Sequence, residues 1–469
     1  MKKVSSILLV LALTLVTVTA CGSDETAKTS SEQVNTSQIS SITATSSEVS
    51  SKETSTSAIK ESSSSKVNKP SSKVETSSKE EEVELTELEE IYYGVDPDLY
   101  TLGLKNKGDT SRIAALMKKA EKGGNYKIAV LGGSISQGAS ASSVYSSYGN
   151  LVCEWWAGAF PESNFEFVNA GIGATNPEMA CYRMETDLLA FKPDFVVVDF
   201  NVNTYLNEDA YDTYSTILYK ILSQKNSPAV MTIDFTNCDK TLYATGTYKK
   251  PSVFDNKQIT KATLAYNIPA VSYAKYVWNK IDAKILAWRL GGYEKKSGLS
   301  RDVGADYIHP NDTGHLVAAN IITAYLKKVK ENLSKESTKI TTPKKPEVSS
   351  YMNLKYVTNT AKGVTLSGGF TARSNETAST RGWAYTATTE ASTLTIPVPA
   401  NKAVKVFMKF NDGSSGEIKV TDGKTTETIN PSNAKTPTLV DIGRMDGKIT
   451  LTPNMQSGGF VIFGIGIKN

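Results

Sequence analysis

The sequence predicts an α/β body built on a parallel sheet, then a small antiparallel β-sandwich, both carried behind a long leading segment that lacks the means to fold. Three observations predict this. Between Tyr92 and about residue 330, apolar strand-like runs alternate with helix-length segments. Beyond Tyr351 the apolar residues recur with the period of a strand, and turn-forming pairs separate the runs. Before Tyr92 there is no Phe, Trp or Tyr, and that stretch holds much of the shortfall that leaves only 39% hydrophobic residues in a chain of 469.

Residues 1–21 open with Lys2 and Lys3, continue through an apolar run from Ile7 to Val18, and close on Val18-Thr19-Ala20-Cys21. The run is too short for a permanent membrane span, and small residues before the cysteine complete the pattern of an export signal. Its last four residues resemble the lipobox of bacterial lipoproteins. That resemblance implies lipidation of Cys21 and a protein anchored in the membrane on the extracellular face of the bacterial cell. An ordinary secretory signal would change the anchor and leave the compartment the same. From residue 22 to about 90, Ser, Thr, Lys and Glu dominate, as in Ser62 to Ser65 and Glu80 to Glu82. Such a segment buries too little apolar area to offset an ordering cost of about 1–2 kcal/mol per residue, so it is read as a disordered tether.

Composition excludes several classes of function. The formal charge of +4 falls to +2 without Lys2 and Lys3, which gives no electrostatic case for a nucleic-acid partner. Four scattered cysteines exclude a disulfide scaffold, and Cys153, Cys181 and Cys238 read as buried free thiols. Only two histidines exist, His309 and His315, so a zinc site of three histidines is impossible, and neither a metal nor a cofactor is expected.

In the α/β part, Ser111 to Lys122 reads as a helix with Ile113, Leu116 and Met117 on its apolar face. Strands follow at Tyr126 to Leu131, Phe165 to Val168, Phe195 to Phe200 and Ala229 to Phe235, with helices at Tyr148 to Phe160 and Pro177 to Phe191 between them. Ligands of such a sheet bind beyond the carboxyl ends of its strands, so the segment after each strand carries the interest. After the first comes Gly132-Gly133-Ser134-Ile135-Ser136-Gln137-Gly138, a tight turn with a serine at its tip, which by itself is also the pattern of a plain helix cap. After the second comes Asn169-Ala170-Gly171-Ile172-Gly173-Ala174-Thr175, and after the third Asn201-Val202-Asn203-Thr204. Late in the domain, Asp306-Tyr307-Ile308-His309 spends one of the two histidines three residues from an acid. A serine hydroxyl is a poor nucleophile near neutrality unless an imidazole takes its proton and a carboxylate fixes the tautomer of that imidazole. Ser136 is the rival nucleophile, disfavoured because it falls within the first helical turn. His315, six residues past His309, reads as structural.

The ordered set Ser134, Gly173, Asn203, Asp306 and His309 resembles the four blocks of the SGNH (GDSL) hydrolase family over about residues 95–330. The resemblance implies an SGNH-like parallel sheet flanked by helices. It also implies Ser134 as nucleophile, His309 as base and Asp306 as its orienting acid, with an oxyanion hole from the Ser134 N–H, Gly173 and Asn203. Two departures stand out: Gly133 occupies a position where the family's usual motif has Asp, and Asn201 and Thr204 stand where Gly and Asp are common.

Residues 337–350 include Thr341-Thr342-Pro343-Lys344-Lys345-Pro346 and read as a linker after a hydrolase domain at 91–336. From 351 to 469, strand patterns run over Leu394 to Val398, Ala403 to Phe410, Glu417 to Val420, Thr438 to Ile442, Lys448 to Thr452 and Phe460 to Ile467. This part resembles the β-sandwich modules appended to secreted carbohydrate-active enzymes, which makes it a candidate carbohydrate-binding module. Trp383, Tyr385 and Tyr351 are its candidate sugar-stacking rings, although single aromatics in a small sandwich usually belong to the core or its rim. All five candidate catalytic positions precede the linker, which assigns the chemistry to the α/β part. The expected function is a surface-tethered serine esterase that removes acyl groups, O-acetyl above all, from a carbohydrate polymer through an acyl-enzyme. The same acyl-enzyme would serve an O-acetyltransferase acting on a surface polysaccharide. A non-catalytic polysaccharide-binding lipoprotein is the alternative from another class.

Overall fold

The computed structural model describes residues 84–204, 209–251, 256–291, 294–347 and 349–468. The expected export signal, Cys21 and nearly all of the expected tether lie outside the described residues. Folded structure begins before the expected residue 91. Thr86 caps helix α1 (Glu87–Tyr92): its hydroxyl accepts from the Glu89 N–H while the Glu89 carboxylate accepts from the Thr86 N–H. Leu88 and Ile91 of this helix are buried. Glu87, Glu89 and Glu90, within the expected tether, lie in the first turn of this helix, where carboxylates are favoured by the unpaired N–H groups.

The chain continues through α2 (Asp98–Thr101), β1 (Leu104–Asn106), α3 (Ser111–Ala120), β2 (Gly124–Gly132), α4 (Ser134–Gln137), α5 (Tyr148–Ala159), β3 (Ser163–Gly171) and α6 (Pro177–Asp187). It then forms β4 (Phe195–Asp199), α7 (Asp209–Leu222), β5 (Ala229–Asp234), α8 (Lys240–Tyr243), α9 (Lys257–Ala265), β6 (Ala270–Ser272), α10 (Tyr273–Asp282) and α11 (Asp312–Glu331). The sheet order is β1-β6-β5-β4-β2-β3, with every pairing parallel except that of β1 on β6. From β2 the chain moves to one side to make β3 and then returns to the other side to make β4. The crevice beside β2 is therefore the switch point of the sheet. Gly132 of β2 is level with Gly171 of β3 and Asp199 of β4, so three strands deliver their following loops to one place.

The strands are apolar throughout because both faces are covered. Ile128 and Val130 of β2 pack with α3, α5, α10 and α11, whereas Ala129 and Leu131 pack with α6, α7 and α9. The alternation of strand side chains thus divides one run between two cores.

The C-terminal part contains β7 (Leu354–Val357), β8 (Thr365–Leu366), β9 (Phe370–Ala372), β10 (Trp383–Thr386), β11 (Leu394–Pro397), β12 (Lys402–Phe410) and β13 (Ser415–Thr421). It closes with β14 (Thr426–Ile429), β15 (Thr438–Met445), β16 (Lys448–Ser457) and β17 (Gly459–Lys468). Two antiparallel sheets result: β15-β12-β17-β10-β9 with β7 against β17, and β14-β13-β16-β11-β8. Their facing residues, among them Val404, Val406, Met408, Ile418, Val420 and Leu451, form one apolar core. Trp383 and Tyr385, two apart on β10, both turn into that core at 1% and 3% exposure, and Tyr351 is buried against the α/β part. None of the three candidate sugar-stacking rings is presented to a ligand.

The sandwich is docked on α6 and the loop before it. Ile172 and Met179 share a small core with Ala378, Phe407 and Phe463. A Cβ at Gly466 would lie 2.7 Å from the Tyr182 ring, so the glycine permits this close approach. Lys405 pairs with Glu178 at 2.8 Å. The described residues of the expected linker form no helix or strand but are tied down, with Arg112 donating to the Thr341 carbonyl at 3.1 Å and Ser349 bonded to the Thr216 hydroxyl.

Candidate active site

At the end of β2 the chain has no room for side chains. A Cβ at Gly132 would sit 2.1 Å from Ser136 Oγ and 2.5 Å from the Asp199 carbonyl, and one at Gly133 would sit 2.3 Å from Asn203 Oδ1. In this chain a side chain at position 133 would therefore meet the Asn203 amide. Ser134 then opens α4, and Gly138 closes that short helix at φ 99°, a left-handed conformation that glycine adopts without penalty.

Ser134 Oγ lies 2.9 Å from His309 Nε2, and His309 Nδ1 lies 2.6 Å from Asp306 Oδ2. The other carboxylate oxygen of Asp306 accepts from the backbone N–H groups of Ile308 and His309, each at 2.7 Å. Burial pushes the Asp306 carboxyl up, but the His309 bond and the two backbone donors outweigh it and hold the group down at about 2. Asp306 is therefore ionised throughout the neutral range. A carboxylate can only accept, so Nδ1 carries the imidazole proton and Nε2 presents its lone pair to the Ser134 hydroxyl. The three side chains form one hydrogen-bonded chain that runs from Ser134 through His309 to Asp306.

The loop holding Asp306 and His309 is fixed from both ends. Ala305 N–H donates to the His309 carbonyl at 2.8 Å, and Asn311 caps α11 by accepting from Gly314 N–H at 3.0 Å. His315 lies one turn into that helix and is fully buried. Its Nδ1 accepts from Tyr148 N–H at 3.3 Å, and its Nε2 donates to the Ala139 carbonyl at 3.1 Å. Burial pushes its pKa down to about 4, so it stays neutral and ties the loop after α4 to α5. Its expected structural role matches this geometry. Ser136 is 1% exposed and its hydroxyl meets Tyr148 Oη at 2.7 Å and Asp199 Oδ2 at 3.4 Å, with no imidazole among these partners, so the rival nucleophile has neither access nor base. Cys153, Cys181 and Cys238 are free and buried, and burial raises the Cys153 thiol to about 12, which keeps it protonated.

The other two candidate oxyanion groups converge on the same place. A Cβ at Gly173 would lie 3.7 Å from Ser134 Cβ, which puts this backbone beside Ser134. Its N–H donates to Gln137 Oε1 at 2.7 Å, so it can reach an oxyanion only when that side chain turns aside. Gln137 was not singled out from sequence; its position three residues after Ser134, on the same side of a single helical turn, is the one signal that marks it. Asn203 ends a short 3-10 turn, Asn201–Asn203, with Oδ1 buried against Gly133 and no partner there, which leaves the NH₂ as the outward end of the amide. The unusual Asn201 and Thr204 brace this turn. Asn201 Nδ2 donates to the Phe235 carbonyl at 2.7 Å, and Thr204 Oγ1 donates to the Phe200 carbonyl at 2.7 Å.

No protein-family model and no curated protein matches the chain. Among solved structures it is similar to a two-domain esterase, CEX, active on acetylated mannans, with 24% identity and a TM-score of 0.62 over 79% of this chain and 98% of that one. The chain shares this two-domain fold. The crystal structure of that esterase with mannopentaose gives 25% identity and a TM-score of 0.59 over the same shares of each chain, 79% and 98%. So large a share takes in both the α/β layers and the sandwich.

Proposed function

We propose that the protein is an SGNH-type serine esterase that removes acetyl groups from the hydroxyls of a carbohydrate polymer, with Cys21 as its lipid anchor on the outer face of the bacterial cell membrane. The observation that carries the reading is the unbroken chain of hydrogen bonds from Ser134 through His309 to Asp306, set at the switch point of the sheet beside Gly173 and Asn203. In the proposed reaction Ser134 Oγ attacks the acetyl carbonyl while its proton passes to His309 Nε2. The carbonyl oxygen gains its charge among the Ser134 N–H, the Asn203 amide and, once Gln137 moves, the Gly173 N–H. The sugar oxygen leaves with the proton from His309, and an acetyl-Ser134 remains. Water then attacks this ester, gives a proton to His309, and acetate departs as Ser134 recovers it.

Support for a carbohydrate substrate comes from the structural neighbour, an esterase active on acetylated mannans that was co-crystallized with mannopentaose. Acetylated mannan is accordingly the first polymer to test, beside acetylated xylan and an aryl acetate. Acetate release by the wild type and none by Ser134→Ala is the expected result. Transfer of the acetyl group to an added polysaccharide in place of release would make the protein a transferase, and a wild type inert to every ester and to serine-directed probes would overturn the enzymatic reading.

A further inference from the structure

Behind the site lies a charged relay that crosses from one domain to the other. Arg183 of α6 is completely buried. Its Nη1 donates to the Ala170 carbonyl at 2.6 Å, and its Nη2 donates to the Gly132 carbonyl at 3.0 Å and to Thr175 Oγ1 at 3.3 Å. One guanidinium therefore joins the last residue of β2 to the last but one of β3, two positions before Ser134 and three before Gly173. Gly132 O is the hub of the arrangement, because it also accepts from Ile172 N–H at 3.2 Å, while the Thr175 hydroxyl donates to the Ile172 carbonyl at 2.7 Å. A buried cation requires a counter-charge, and Arg183 finds it in Asp187 Oδ2 at 3.3 Å, one turn along the helix.

Asp187 is itself buried, and its second oxygen is held from the sandwich. Arg381, between the short turn Ala378–Thr380 and β10, donates through Nη1 to Asp187 Oδ1 at 2.6 Å and to the Thr186 carbonyl at 2.8 Å. Burial raises the Asp187 carboxyl, and the two guanidinium groups act against that rise. Without Arg381 one carboxylate oxygen is left buried with no donor, a costly state that the helix end relieves by shifting or by taking up a proton. Either response loosens the hold of Arg183 on the strand ends.

We propose that Arg381 is a positioning residue of the active site, contributed by the C-terminal sandwich and acting through Asp187 and Arg183 on the backbone that presents Ser134 and Gly173. The proposal rests on the reading of Ser134 as nucleophile for its kinetic consequence, and on the hydrogen bonds alone for its structural one. A displacement of about 1 Å at a reacting group can cost about 10²-fold in rate, so a small relaxation at the strand ends is enough to register.

The test uses the full chain and three variants: Arg381→Met, Arg381→Lys, and Lys405→Ala as a control that removes a different ion pair from the same domain interface. On an aryl acetate, Arg381→Met is expected to lower kcat by about 10- to 100-fold with KM nearly unchanged, because the displaced groups act in the transition state. Arg381→Lys is expected to recover part of this loss, and Lys405→Ala to keep kcat within about twofold of wild type, because this partly exposed ion pair has no bond to the strand ends that carry Ser134 and Gly173. Amide hydrogen exchange supplies a readout independent of turnover: protection at residues 132–134 and 170–173 should fall in Arg381→Met and not in Lys405→Ala. Unchanged protection there in Arg381→Met overturns the relay even if the protein proves to cleave no ester. Equal losses of kcat and melting temperature in Arg381→Met and Lys405→Ala would reduce Arg381 to an ordinary interface contact. Activity lost only by Ser134→Ala, with Arg381→Met at wild-type kcat, overturns the proposal and leaves the esterase reading intact.

Discussion

Gly133 and Asn203 constrain each other, and the pair shows why the site must be read residue by residue. The Cβ of any side chain at 133 meets Asn203 Oδ1 at 2.3 Å, so Gly133→Ala should push the amide off its position without touching Ser134 or His309. The expected loss in kcat is about 10²–10³, close to that of Asn203→Ala, with little change in KM in either variant. Steady-state kinetics on an aryl acetate checks this, and a Gly133→Ala enzyme with full kcat would remove Asn203 from the proposed oxyanion hole. Asp306→Asn should lower kcat by on the order of 10³–10⁴, because a neutral amide can donate to Nδ1 and so stabilise the wrong tautomer of His309. These residues were legible in the sequence because their chemical types, order and spacing are the signal. Gln137 and Arg183 were not, since each acts on backbone groups that only the fold brings near, such as Gly132 O and Ala170 O for a side chain at 183.

At the scale of elements, α11 carries the sharpest consequence, because it places a buried neutral imidazole at its first turn. His315 has its pKa lowered from the usual 6.5 to about 4 by burial, whereas the unfolded chain keeps the usual value. Between those two values the unfolded state binds the proton and the folded state does not, so stability rises with pH across this window and is lost as pH falls through it. The most this single group can contribute is about 3 kcal/mol, from about 1.4 kcal/mol per pKa unit. Denaturant midpoints at pH 7 and pH 4.5 should show the wild type losing stability that His315→Gln, with a lower starting value, does not lose. A parallel decline in both proteins would assign the effect to other groups. Long elements such as β2, β3, β4, α3 and α5 were legible because their apolar periodicity runs over many residues, whereas β1, β6, β8 and β9 hold only two or three residues and have no period to read. The helix at α6 ends at Asp187, short of the expected Phe191, because the chain tightens into a 3-10 turn at Leu189–Phe191 and then turns left-handed at Lys192 with φ 53°.

For the whole molecule, the sequence suggests a catalytic domain and a binding module separated by a linker, since all five candidate catalytic positions precede residue 337. The interface argues for a different division of labour. Ile172, one residue before Gly173, is 2% exposed, and its neighbours Phe407 and Phe463 come from the sandwich. Removal of the sandwich uncovers this apolar surface and strips Asp187 of Arg381 in the same stroke. Truncation after Glu336 should therefore lower the melting temperature and reduce turnover of small aryl esters and of acetylated polymer by similar factors. A module that served only to hold polymer near the site would behave otherwise: it raises local substrate concentration, an effect that a small ester does not feel. Melting curves and kcat/KM on both substrates for the full and truncated chains decide between the two. Full aryl-ester turnover at an unchanged melting temperature, with loss confined to the polymer, would mean that the docked face contributes nothing to the geometry of Ser134 and that the sandwich works by capture alone.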